Sequence, residues 1–93
     1  MAKVYHALEP TWDNELKKFP DEYALVATVS NEDVDTVYRL TNSIDSPWWR
    51  NFGVTPEFIG EGCRSTSVGD IVELANGTRL ICCDIGWEVV HEA

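Results

Sequence analysis

A chain of 93 residues has room for one domain, and its 44% hydrophobic and 25% charged content is that of a folded protein rather than a disordered tail. Sixteen acids against seven lysines and arginines leave a formal charge of −9, which repels phosphate and argues against direct DNA or RNA binding while fitting a basic protein partner or plain solubility. An odd set of cysteines (Cys63, Cys82, Cys83), no apolar leader after Met1 and no apolar run near the roughly 18 residues a bilayer requires point to free thiols in a reducing cytoplasm, with no disulfide framework and no membrane role.

Lys3–Leu8 reads as a short strand stopped by Pro10, with Val4, His6 and Leu8 on one side and Tyr5 and Ala7 on the other. Thr11–Phe19 fits a helical turn or two, because Trp12, Leu16 and Phe19 recur at helical spacing and Pro20 follows. Glu22–Ser30 is a strand with apolar residues on both faces, as expected of a strand covered on both sides. Ser30 and Asp33 resemble a capping box opening the main helix, whose buried face is Val34, Val37, Tyr38, Thr41 and Ile44. Pro47 disfavours helix at Ser46, which places the helix end near Ile44 or Asp45.

Residues 47–56, with two prolines, one glycine and three aromatics, follow no period and read as a loop. Packing against the small core is one use for so aromatic a loop. The other is a recognition patch with Trp48 or Trp49 as anchor and Arg50 beside it, since Trp and Arg are over-represented at interface hot spots. Phe58 and Ile59 fit a brief strand before the Gly60-Glu61-Gly62 turn. Two β-rich runs then flank Asn76-Gly77, a strong hairpin signal because both residues tolerate positive φ. A two-residue loop there sets Val72 opposite Ile81, Leu74 opposite Arg79 and Asp70 opposite Cys83. Gly86 fits a bulge, and Trp87–Val90 one more short extended piece. The expectation is an α+β fold: a mostly antiparallel sheet of about four strands with one main helix on one face, and a crossover between strands 22–30 and 70–74 if these are parallel neighbours.

Chemistry-bearing residues are sparse. A metal site would have to be composite, from Cys63, Cys83 and His91, with no Cys-x-x-Cys spacing to support it, so no metal and no cofactor is expected. Cys82 and Cys83 lie in an apolar strand, whereas Cys63 sits beside Arg64, which lowers a thiol pKa; no catalytic residue is assigned. Arg64-Ser65-Thr66-Ser67-Val68-Gly69-Asp70 offers either a hydroxyl-capped turn or an anion site using Arg64, Ser65 and Ser67; it lacks the P-loop frame. Asp70 and Asp84 are the nearest approach to a carboxylate pair.

The blocks Val37-Tyr38-Arg39-Leu40-Thr41-Asn42, Pro47-Trp48-Trp49 and Arg64-Ser65-Thr66-Ser67-Val68-Gly69-Asp70-Ile71, with Gly86-Trp87 near the end, resemble small YodL-like proteins, mostly uncharacterised, of phages, plasmids and bacterial genomes. The resemblance covers about residues 37–87 and implies a small cytosolic accessory protein of a mobile element, with no catalytic residues to carry over. The leading expectation is therefore a non-enzymatic protein-binding factor. One alternative is a small-ligand or anion-binding domain using the 63–70 loop beside Trp48 or Trp49. Another is an acidic mimic of nucleic acid that inhibits a host defence enzyme.

Overall fold

The computed structural model describes residues 1–10, 15–43 and 45–93. They form an α+β fold with a six-stranded sheet, two strands more than the sequence pattern led us to expect. The strands are β1 (Ala2–Ala7), β2 (Tyr23–Val29), β3 (Val54–Pro56), β4 (Ile71–Glu73), β5 (Arg79–Cys82) and β6 (Trp87–His91). Their order is β3-β2-β1-β4-β5-β6, and every neighbouring pair is antiparallel. The strand missed inside the 47–56 loop, β3, is only three residues long and ends in Pro56, so no alternation can develop. Proline is tolerated there because β3 is an edge strand. The other addition, β6, is the final extended piece, paired antiparallel with β5 with a register shift between Arg79 and Leu80. The expected parallel neighbours are not neighbours: β1 lies between β2 and β4.

The one α-helix among the described residues, α1, runs Val34–Thr41. Asp33 is the N-cap, accepting from the Thr36 amide at 3.3 Å and the Thr36 hydroxyl at 2.7 Å, so the helix starts at the second residue of the expected capping pair. It also ends early, at Thr41. The Thr41 carbonyl accepts from the Thr66 amide (3.0 Å) and the Asn42 amide group donates to the Thr66 carbonyl (2.7 Å). Bonds to the 63–70 loop thus replace the turn that would have continued the helix. Ile44 lies outside the described residues, as do Thr11–Asn14 of the expected first helix; residues 15–18 carry no helical structure.

The β4–β5 register differs by one from that of a two-residue loop: Ile71 faces Ile81, Val72 faces Leu80, and Glu73 faces Arg79. The loop has three residues. Leu74 and Thr78 close it (amide to carbonyl, 2.8 Å), Gly77 donates back to Leu74 (2.9 Å) at φ +96°, and the Asn76 side chain accepts from the Thr78 amide (2.9 Å). This is a type I turn completed by a left-handed residue, the second most common hairpin solution. A slip of one residue exchanges faces. It brings Ile71 and Ile81 onto one side and puts Glu73 within 3.0 Å of Arg79.

Both faces of the sheet are covered. On one, Ala2, Val4, Val26, Ala27, Val29 and Val72 pack with Val37 of α1 and with Trp48 of a 3₁₀ turn at Trp48–Arg50. On the other, Ala7, Tyr23, Ile71 and Ile81 pack with Tyr5, Phe19 and Val90. Phe19 sits edge-on to Tyr5 (4.9 Å between centroids) and under the Arg79 guanidinium (4.4 Å). No helix among the described residues is long and apolar enough to cross a membrane.

Candidate functional site

Two parts of the molecule contain the residues singled out by sequence: the polar 63–70 loop and the aromatic 47–56 loop. The first closes on itself. The Arg64 guanidinium grips Asp70 with both arms, Nη1 to Oδ2 at 2.6 Å and Nη2 to Oδ1 at 2.8 Å. It also donates to the carbonyls of Ala7 (3.1 Å) and Ser65 (3.2 Å) and to the Ser67 hydroxyl (3.2 Å). Asp70 is 1% exposed and accepts two further bonds, from the amides of Ala7 (2.9 Å) and Ser67 (2.8 Å). A buried carboxylate is tolerated only when paired and fully hydrogen-bonded, and both conditions are met. The Asp70 oxygens fill the fork that an external anion would use.

His6 is the second member of this centre, and nothing in its short sequence context marks it. Alternation along β1 turns it, with Val4, toward the helix-covered face. Its Nε2 lies 2.9 Å from the Thr66 hydroxyl and 3.8 Å from Asp70, and its Nδ1 lies 3.6 Å from the Cys63 sulfur. Burial holds the imidazole neutral, lowering its pKa to about 4; the Asp70 charge opposes this and the Arg64 charge adds to it. From Thr66 the bonds continue to the Thr41 hydroxyl (2.9 Å) and from there to the Val37 carbonyl (2.9 Å). Burial raises the Cys63 thiol pKa, with Arg64 lowering it less. The pair is thus a neutral thiol against a neutral imidazole. Among the described residues no buried side-chain nitrogen or oxygen lacks a partner.

The remaining residues separate as follows. Ser65 bonds the backbone of Ser43, donating to its carbonyl (3.2 Å) and accepting from its amide (3.3 Å). Trp48 is 1% exposed, and its indole N–H is shared between the carbonyls of Cys63 (3.2 Å) and Arg64 (3.0 Å). Trp49 is half-buried, edge-on to Trp48 (5.5 Å) and Phe58 (5.3 Å). Trp48 thus joins the core and pins the 63–70 loop, Trp49 packs beside it, and Arg50 is exposed. Cys63 packs against one hydrophobic cluster and Cys83 against the other, and no set of three His, Cys, Asp or Glu side chains placed to hold a metal forms among the described residues. Asp70 is buried, whereas Asp84 is exposed on the β5–β6 turn.

The aromatic loop does present an apolar group, though not one of the tryptophans. Phe52 is 98% exposed, just before β3, and Ile59 is 101% exposed, just after it. Glu57 and Glu61, both exposed, stand on either side of Ile59 in the chain. No family model, curated protein or solved structure matches this chain.

Proposed function

We propose that this protein is a non-enzymatic docking module that binds a basic protein partner at the β3 edge of its sheet. The observation that carries the reading is the full exposure of both Phe52 and Ile59 on the two loops bracketing β3; Ile85, on the β5–β6 turn, is the other fully exposed large apolar residue among those described. Single exposed apolar residues are ordinary, and it is their grouping at one sheet edge that marks an interaction surface. Arg50, Glu57 and Glu61 give the patch a polar rim, and the overall charge of −9 favours a basic partner. The internally satisfied Arg64–Asp70 centre supports a structural role for the 63–70 loop over a ligand site.

The test compares capture of partners from the source cell by the native protein and by a Phe52→Ser/Ile59→Ser double variant, across a salt series. A partner held by the native chain, released by salt and lost in the variant is the expected result. A partner retained by the double variant, or a capture that returns nothing, removes the reading.

A further inference from the structure

At the opposite end of the sheet from β3, α1 and the β5–β6 turn line an open cleft of about 250 Å³. Two of its walls are the rings of Tyr38 and Trp87, 6.2 Å between centroids and inclined at 78°. Two carboxylates, Asp35 from the first turn of α1 and Asp84 from the β5–β6 turn, also line it. No basic side chain stands among the described residues of its lining.

We propose that this cleft binds an organic ammonium group: a quaternary or alkyl-substituted amine, free or at the end of a lysine side chain. Tyr38 and Trp87 meet edge to face, so a cation uses the ring face that their contact leaves open, where the ring quadrupole attracts it within roughly 6 Å of the centroid. They also provide apolar surface that matches the methyl or methylene groups around an ammonium nitrogen. The carboxylates add net attraction and repel anions. A hard metal ion is the poorer fit, because it demands several oxygen ligands at once and the rings supply none. No three-ligand set for a metal forms among the described residues.

The site is also built rather than incidental. The Tyr38 hydroxyl accepts from the Asn42 side chain at 3.0 Å, and Asn42 bonds the Thr66 carbonyl at 2.7 Å, so the ring is positioned by the rigid 63–70 loop. Trp87 is held from the other side, as the first residue of β6 paired with Cys82. The turn that delivers Asp84 is closed by the Cys83 amide donating to the Gly86 carbonyl (3.0 Å), with Gly86 at φ +76°, a conformation glycine adopts without strain. This proposal does not depend on docking at the β3 edge.

Tetramethylammonium chloride titrated into ¹⁵N-labelled protein tests it, with sodium chloride and uncharged tert-butanol as controls. Saturable shifts of the Trp87 indole N–H and of the Tyr38, Asp84 and Gly86 amides are expected with the cation. The response to tert-butanol should be weaker by about tenfold, as loss of a cation–π contact predicts. Trp87→Leu should abolish the saturable shifts, and Asp84→Asn, on an exposed turn where folding is unaffected, should weaken them severalfold. A second arm compares butylammonium with a short lysine-containing peptide. Tighter binding of the peptide identifies a polypeptide lysine as the natural source, and equal binding a free amine. Equal responses to the cation and to tert-butanol, or shifts unchanged in Asp84→Asn and in a folded Trp87→Leu, overturn the proposal.

Discussion

The centre of the sheet and its β3 edge invert the usual rule for placing side chains, in opposite senses. At the centre, His6, Thr66, Thr41 and Asp70 are polar and buried. At the edge, Phe52 and Ile59 are apolar and exposed. The first inversion is resolved within the molecule: each polar group finds a partner, from the guanidinium fork on Asp70 to the hydroxyl chain running into α1. The second is not resolved among the described residues, which is why the docking proposal rests there. In that cluster the Asp70 carboxylate and the Arg64 guanidinium are paired with each other, and His6 is held neutral by burial. If that contrast is right, disturbing the centre should unfold the protein, and disturbing the edge should leave the fold untouched.

The largest effect is expected from Asp70→Ala. It strands the Arg64 guanidinium and leaves the amides of Ala7 and Ser67 without their acceptor. Breaking one side of a buried pair costs about 3–5 kcal/mol, and the lower end applies because the Arg64 side chain is 28% exposed and can reach water. Urea denaturation measures it; a loss under about 1 kcal/mol would mean that the network is not what holds the loop. Trp48→Ala should cost a similar about 3–5 kcal/mol, through the cavity and the lost indole bond to the 63–70 loop. It would also free the loop, so exchange of the Thr66 amide, bonded to Thr41, should accelerate more than that of β6 amides.

His6 gives the next effect, and a pH-dependent one. Its pKa is about 4 in the fold and about 6.5 when unfolded, so between those values the unfolded chain takes a proton that the folded chain refuses. Its contribution to stability is therefore complete above about pH 6.5, declines as the pH falls and levels off below about pH 4. The full swing is on the order of 3 kcal/mol. His6→Gln should remove that slope from the difference between native and variant stability curves. An unchanged slope would mean that His6 is not buried in the folded protein as described.

How much of this was legible beforehand differs between the two regions for physical reasons. The strands at 2–7, 23–29, 71–73 and 79–82 announce themselves through alternation and the Asn76-Gly77 turn. The exact pairing at that turn did not, because Asn-Gly serves two-residue and three-residue loops alike, and the choice is made by which side chains the faces must bury. Arg64 and Asp70 were visible as charged residues in a polar loop. Their pairing was not, since it depends on β1 passing between β2 and β4 and bringing His6 and Ala7 alongside. In the aromatic loop, composition drew notice to Trp48 and Trp49, the residues the core consumes. Nothing local separates them from Phe52, because exposure is set by the edge position of β3, and an edge is a property of the whole sheet.

The smallest stability effect is the most informative one for the contrast. Phe52 and Ile59 lie almost wholly in solvent, so Phe52→Ser and Ile59→Ser remove nothing that the fold buries. Each should change unfolding free energy by no more than about 0.5 kcal/mol, the usual range for surface positions. Residue Gly53, beside Phe52, gives the control. It sits at φ +86°, and a Cβ there would come within 3.0 Å of the Ser30 hydroxyl oxygen. Gly53→Ala should therefore be clearly destabilising while Phe52→Ser, one residue away, is not. If Phe52→Ser destabilised as much as Gly53→Ala, the phenylalanine would be part of the structure's own packing, and the edge would lose its claim to be a surface awaiting a partner.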